Sequence, residues 1–149
     1  MGHLFFYGTL THEHRGAWAD WLRPLLNDGR RASVSGRLFA IGTPQGWYPG
    51  LVPGTGRVEG WVYRCRPGFG RDALATLDRY EGFDRRRPGR SEYVRRTMPV
   101  TPGRGGSVLA QVYVWNAPPR SAAFEIASGS FARFLAETGL PAFGAEGLP

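Results

Sequence analysis

Glycine and proline punctuate this chain throughout, 22 and 12 of them in 149 residues. Each interrupts regular backbone, so the sequence predicts many turns between short elements and no long uninterrupted helix. The apolar stretches between the breaks confirm the scale. None is long enough to span a bilayer as a helix. A chain of this length with 42% hydrophobic and 21% charged residues builds one ordinary core, read as a single domain over residues 1–149.

Periodicity assigns the pieces. His3 to Tyr7 is apolar and aromatic, ends at Gly8, and reads as a buried strand. His14 to Leu26 has helical spacing through Ala17, Trp18, Trp21, Leu22 and Leu25, with Pro24 ending or kinking it near Arg23. Ala32 to Ile41 reads as a strand, and Gly42 to Gly56 as a long irregular loop of the kind that often carries function. In Arg57 to Cys65, Val58, Gly60 and Val62 share one face, while Trp61, Tyr63 and Cys65 share the other. A helix over Phe69 to Tyr80 follows, then strands over Ser91 to Val100 and Val108 to Trp115. A last helical region runs from Ala122 to Thr138, with Gly129 a breaking point and Gly139 a C-cap. Helices this few and this unevenly placed exclude a doubly wound parallel sheet. An α+β fold follows, a curved mixed sheet or small barrel with helices packed outside.

Charge excludes less than it suggests. The net charge is +7, and all 19 basic residues are arginine. Arginine suits phosphate recognition, but a coding preference for Arg, Gly, Pro and Ala gives the same composition. The densest run, Arg85-Arg86-Arg87, abuts Pro88-Gly89 and reads as a solvated loop. No aromatic-interleaved RNA motif accompanies it, so nucleic acid is not the expected partner. Cys65 is the sole cysteine, which excludes an internal disulfide and a cysteine-built zinc site. His3, His12 and His14 do not share a helical face, and no metal is expected. The N-terminus lacks a secretory pattern, so the expected location is cytoplasmic.

Two places can carry chemistry. In Tyr7-Gly8-Thr9-Leu10 a buried strand stops at a glycine, where successive amides can converge on an anion. An ordinary strand-to-helix turn has the same spacing, and spacing alone favours it. In Leu77-Asp78-Arg79-Tyr80-Glu81-Gly82, Glu81 falls at a helix end with Gly82 as terminator. The negative end of the helix dipole disfavours its ionisation, and partial burial would raise its pKa toward the range useful for acid/base work. Position alone favours a solvated surface Glu. Tyr63, Tyr93 and Tyr113 can each point a hydroxyl into a pocket or serve as half-buried packing.

These segments, in this order, resemble the gamma-glutamylcyclotransferase-like superfamily, which includes the gamma-glutamylamine cyclotransferases and the plant avirulence-induced proteins. Tyr7-Gly8-Thr9-Leu10 resembles its opening motif, and Tyr48-Pro49-Gly50-Leu51 its mid-chain loop. Glu59-Gly60-Trp61-Val62-Tyr63 resembles the following strand, and Leu77 to Gly82 the segment with the catalytic glutamate. Tyr93-Val94-Arg95-Arg96 and Val112-Tyr113-Val114-Trp115 resemble two later strands. In Ile126 to Phe131 the sequence departs from the family, with Ser130 where an acidic residue is usual.

The resemblance implies a small mixed β-barrel with surrounding helices and a cavity at one end. It implies a cofactor-independent enzyme that cyclises a gamma-glutamyl amine or peptide to 5-oxoproline and releases the amine. Glu81 would be the acid/base, and Tyr7, Gly8, Thr9, Leu10 and Tyr113 would bind the gamma-glutamyl substrate. Two other readings stand beside it. One is a related acyl-transfer or lyase reaction on a biosynthetic gamma-glutamyl intermediate. The other is a non-catalytic binding module that uses the arginine-rich surface.

Overall fold

The structure is a computed structural model that describes residues 2–12, 16–103, 105–116 and 123–143. Along the chain run β1 (His3–Phe6), α1 (Ala17–Leu22), β2 (Arg30–Thr43), β3 (Gly46–Arg64) and α2 (Arg71–Tyr80). Then come β4 (Tyr93–Pro102), β5 (Val108–Trp115), β6 (Ala123–Glu125) and α3 (Phe131–Thr138). Single 3-10 turns follow α1 at Arg23–Leu25 and precede β4 at Pro88–Arg90. Pro24 therefore ends α1 as expected, while His14, the expected start of that helix, lies outside the described residues.

The strands pair in the order β3-β1-β5-β4-β2, and β2 pairs back onto β3, so five strands close into a barrel. β6 adds to β2 outside that ring. The β1–β5 pair is parallel, with His3 opposite Ala110, and the other pairs are antiparallel. The result is the α+β class and the small mixed barrel that the sequence predicts.

Side-chain alternation divides the core in two. Phe5, Val34, Val58, Val62, Val100, Val112 and Val114 come from all five barrel strands and fill its interior, with Phe131 of α3 packed among them. The opposite faces supply Leu4, Phe6, Tyr63, Tyr93, Tyr113 and Trp115. These pack against Leu22 of α1 and Leu77 of α2. Each such buried aliphatic side chain contributes roughly 1.5–3 kcal/mol of transfer free energy. Two layers on one sheet thus fix α1 and α2 against the outside of the barrel.

Two expectations need correction. The segment from Gly42 to Gly56 is no loop. It belongs to a long β2–β3 hairpin, paired as far as Thr43 opposite Gly46, with a register shift between Ser35 and Arg37. Its glycines answer to packing. A Cβ on Gly50 would lie 2.9 Å from the Trp115 ring and 2.7 Å from the Ile41 side chain. The C-terminal helical region is also shorter than expected. Ala123–Glu125 is strand β6, paired with Phe39 to Ile41 of β2, and the expected first residue, Ala122, lies outside the described residues. Gly129 takes φ +71°, and a Cβ there would stand 2.0 Å from the Arg57 carbonyl oxygen. The helix starts only after it, where Ser130 accepts a hydrogen bond from the Arg133 amide at 3.1 Å.

Candidate active site

The cavity of interest forms where β1 ends. It holds about 510 Å³, between the barrel rim and helices α1 and α2. The six residues that the family resemblance assigns to the site line it: Tyr7, Gly8, Thr9, Leu10, Glu81 and Tyr113. They come from three separate segments, and the β1–β5 pairing together with the docking of α2 brings them to one rim.

Tyr7 is buried and ties the rim together. Its hydroxyl donates to the Tyr113 carbonyl at 2.5 Å and accepts from the Leu51 amide at 3.2 Å. Burial, with Glu81 beside it, holds the phenol far above its usual pKa. Tyr7 therefore stays neutral and structural. The next residue, Gly8, is needed for a close approach. A Cβ would meet the Pro49 ring at 2.7 Å, and its φ is not in the left-handed region. The Tyr93 hydroxyl in turn donates to the Pro49 carbonyl, so strands β3 and β4 hold that ring in place. Among the described residues, no backbone hydrogen bond engages the amides of Gly8, Thr9 and Leu10. Three amides at one turn without such a partner have the chemistry to donate to an anionic oxygen. The Thr9 side chain is hydrogen-bonded to the Tyr80 hydroxyl, which burial pushes up to about 12.

Glu81 caps the C-terminus of α2. Its amide donates to the Leu77 carbonyl at 3.0 Å, and Gly82 follows at φ +69°. That left-handed glycine ends the helix and turns the chain away, so the Glu81 side chain stays at the cavity wall. The carboxyl is half-buried, and its pKa rises to about 8. Burial is the first cause, and the neighbouring Glu92 and Asp78 carboxylates are the next two. The helix end matters mostly because it brings the group to a partly dry wall beside other acids.

Asp78, one turn earlier, meets a different environment. It is buried, accepts from Arg95 Nε at 2.9 Å, and accepts from the Tyr113 hydroxyl at 2.6 Å. Arg95 also donates to Gln111 Oε1 at 2.8 Å. A charge-assisted network thus clamps α2 to β4 and β5, and it fixes Tyr113 at the cavity wall. The sequence motifs contain Asp78 and Arg95, but nothing in either stretch shows that they pair.

The strand tyrosines separate by position. Tyr93 and Tyr113 line the cavity. Tyr63 does not. Its hydroxyl lies 3.0 Å from the His12 amide and 2.8 Å from His12 Nδ1. Ser130 caps α3 and is not part of the cavity lining. Sequence reasoning missed Glu92, Arg79 and the aromatic wall of Trp18, Tyr48, Tyr80 and Phe143, which also line the cavity. A signal existed for Tyr48 within the Tyr48-Pro49-Gly50-Leu51 motif. Glu92 had none, because it precedes β4 in an extended turn whose course depends on Gly82.

The closed five-stranded mixed barrel with its flanking helices matches the fold of solved gamma-glutamyl cyclotransferase-like proteins. A solved gamma-glutamyl cyclotransferase superposes with TM-score 0.55 at 16% identity, over 94% of this chain and 81% of that one. An aig2-like protein from Mus musculus does so with TM-score 0.60 at 23% identity, over 82% of each chain. The ytfP protein from Escherichia coli is 28% identical, with TM-score 0.53 over 87% of this chain and 95% of that one. The chain itself belongs to the family described as "Gamma-glutamyl cyclotransferase, AIG2-like", whose pattern matches residues 4–133. No curated protein sequence matches it. Among the described residues no helix is long and apolar enough to cross a membrane.

Proposed function

We propose that this protein is a cofactor-independent gamma-glutamyl cyclotransferase. It closes the gamma-glutamyl group of an amide to 5-oxoproline and releases the amine, with Glu81 as the acid/base. The observation that carries this reading is the half-buried Glu81 carboxyl, raised to about 8, in the same cavity as the amides of Gly8, Thr9 and Leu10.

The chemistry needs one proton moved twice. The substrate's α-amine attacks its own γ-carbonyl carbon and forms the new C–N bond of a five-membered lactam. Holding the chain folded makes this attack intramolecular, which supplies much of the acceleration. Glu81 takes the proton that the attacking nitrogen sheds. The old amide C–N bond then breaks, and Glu81 returns the proton to the departing nitrogen. A carboxyl of pKa about 8 is a stronger base than an ordinary carboxylate, and it is still an acid near neutral pH. The Gly8–Leu10 amides supply hydrogen bonds to an anionic oxygen of the substrate or of the tetrahedral intermediate. Tyr7 and Tyr113 form the wall against which the gamma-glutamyl chain folds.

The test is release of 5-oxoproline from a panel of gamma-glutamyl amides and dipeptides. Glu81→Gln keeps the shape of the side chain and cannot carry the proton. Its kcat/KM is expected to fall by about 10³-fold, as for loss of a general acid/base. In wild type the acid limb of kcat/KM should lie near pH 8, far above an ordinary carboxylate. Turnover by Glu81→Gln within threefold of wild type sinks the proposal.

A further inference from the structure

After α3 the chain turns back to the cavity from outside the barrel. The helix ends at Gly139, whose φ of +69° is a conformation that glycine adopts without strain. A Cβ at Gly139 would meet nothing within 4 Å, so this turn is free of packing. Leu140 is 36% exposed, and Pro141 is exposed as well. Ala142 then lies beside Trp47 of the β2–β3 hairpin in a single parallel bridge. The Trp47 amide donates to the Pro141 carbonyl at 2.9 Å, and the Phe143 amide donates to the Trp47 carbonyl at 2.7 Å. Gly46 at the hairpin tip makes room for this crossing. A Cβ there would lie 2.8 Å from both the Ala142 carbonyl carbon and the Phe143 nitrogen.

The two sides of this contact are held unequally. On the hairpin side, the Thr43 hydroxyl donates to the Gly46 carbonyl at 2.7 Å. The Trp47 ring packs on Phe124 and Phe134 at 5.4 and 5.9 Å between centroids. The other side has the two backbone bonds and one aromatic contact. Phe143 meets Tyr48 edge-on at 5.8 Å, and it lines the same cavity as Glu81. Pro49, next to Tyr48, lies against Gly8, so Phe143 extends the wall that begins at the turn after β1. A segment held by so few contacts opens far more readily than the barrel it leans on. Phe143 also stands outside residues 4–133, the part that matches the family pattern, so this piece of the cavity belongs to the chain and not to the pattern.

We infer that residues 139–143 form a closing strap for the cavity. Gly139 is its hinge, the Trp47 backbone is its latch, and Phe143 is the residue that covers bound substrate. The inference rests on the cyclotransferase reading and adds a moving part to it. The strap leaves the hairpin tip to admit the substrate and docks once the cavity is filled. Docking lays the Phe143 ring over the gamma-glutamyl group and shuts out water before the α-amine attacks. Only the docked form binds fully, so weakening the dock lowers the apparent affinity by the fraction of docked molecules lost.

Kinetics on the best substrate of the gamma-glutamyl panel provide the test. Phe143→Ala should raise KM about tenfold and leave kcat within about threefold of wild type. A chain that ends at Gly139 should behave alike. Gly46→Ala puts a methyl group where the strap docks. It should raise KM about tenfold in the full chain and by less than about twofold in the chain that ends at Gly139, which has no strap to displace. Thermal melting checks that each variant is folded. Amide hydrogen exchange reads the motion itself. In Glu81→Gln, which binds substrate without turning it over, saturating substrate should slow exchange of the Phe143 amide by about tenfold.

An unchanged KM in Phe143→Ala overturns the inference. So does an equal cost of Gly46→Ala in the two chain lengths, which would place its effect in the hairpin. Exchange at Phe143 that does not respond to substrate overturns it too, since the wall would then be fixed. Each of these results leaves the cyclotransferase reading standing, because wild type still releases 5-oxoproline. No release from any member of the panel removes that reading and this one together.

Discussion

Asp78 and Glu81 leave the same helix three residues apart and end in opposite electrostatic worlds. Asp78 points into a clamp with Arg95 and Tyr113, while Glu81 sits at the cavity wall with Glu92 as its charged neighbour. The first carboxylate is ion-paired with Arg95 and holds α2 on the barrel. The second is pushed toward its protonated form, first by burial and then by the acids beside it. The comparison teaches that burial alone does not make an acid functional. What matters is whether the fold supplies a counter-charge, and one turn of helix is enough to change the answer.

Mutation can break the contrast in order of size. Asp78→Ala should have the largest effect on stability, a loss of about 3–4 kcal/mol, because it strands the Arg95 side chain, only 15% exposed, without its acid. Urea denaturation measures it, and a loss below about 1 kcal/mol would mean that the clamp carries little. Glu81→Gln should act in the opposite sense and stabilise by about 2 kcal/mol at pH 8.5. The sign follows from linkage. The folded pKa of Glu81 stands above its usual 4.5, at about 8. Its ionisation therefore erodes stability as pH climbs from about 4.5 to about 8, and the cost is complete above that. The gain from Gln should accordingly vanish near pH 4.5. A gain that does not change between pH 4.5 and 8.5 would contradict a raised pKa. Tyr113→Phe should have the smallest effect, a loss of about 1.5 kcal/mol, because Asp78 keeps Arg95 when the hydroxyl is gone. Denaturation of Tyr113→Phe in the Asp78→Ala background should then show almost no additional cost.

Much of this arrangement is written locally. Gly82 marks the helix end that carries Glu81, and Gly8 marks the turn after β1. The alternation from Val58 to Cys65 matches the two faces of β3. What was not legible depends on distant partners. Gly50 reads as a turn residue until Trp115 lies against it, and Gly129 reads as a helix break until the Arg57 carbonyl fills the space of its missing Cβ. Phe124 and Ala127 fit a helical stripe with Phe131, but the edge of β2 was open to pairing and took Ala123–Glu125 as a strand. The raised pKa of Glu81 was legible as a direction, from position and partial burial. Its second cause, Glu92, was not, because no spacing rule connects residues 81 and 92.

The placement of β1 between β3 and β5 has a consequence for how the molecule comes into being. β1 contains His3, yet its parallel partner is Ala110, more than a hundred positions later. Contacts of such separation are slow to form, since a long loop must close before the pairing stabilises anything. The strand that leads into Tyr7 and Gly8 has β3 as its nearer partner in sequence, but its other edge is completed only by the strand that delivers Tyr113. Until β5 arrives the barrel has a gap where the cavity's wall should be. A chain that lacks residues 108–115 lacks Tyr113 and the strand that joins β1 to β4, so the site is complete only once β5 has joined the barrel.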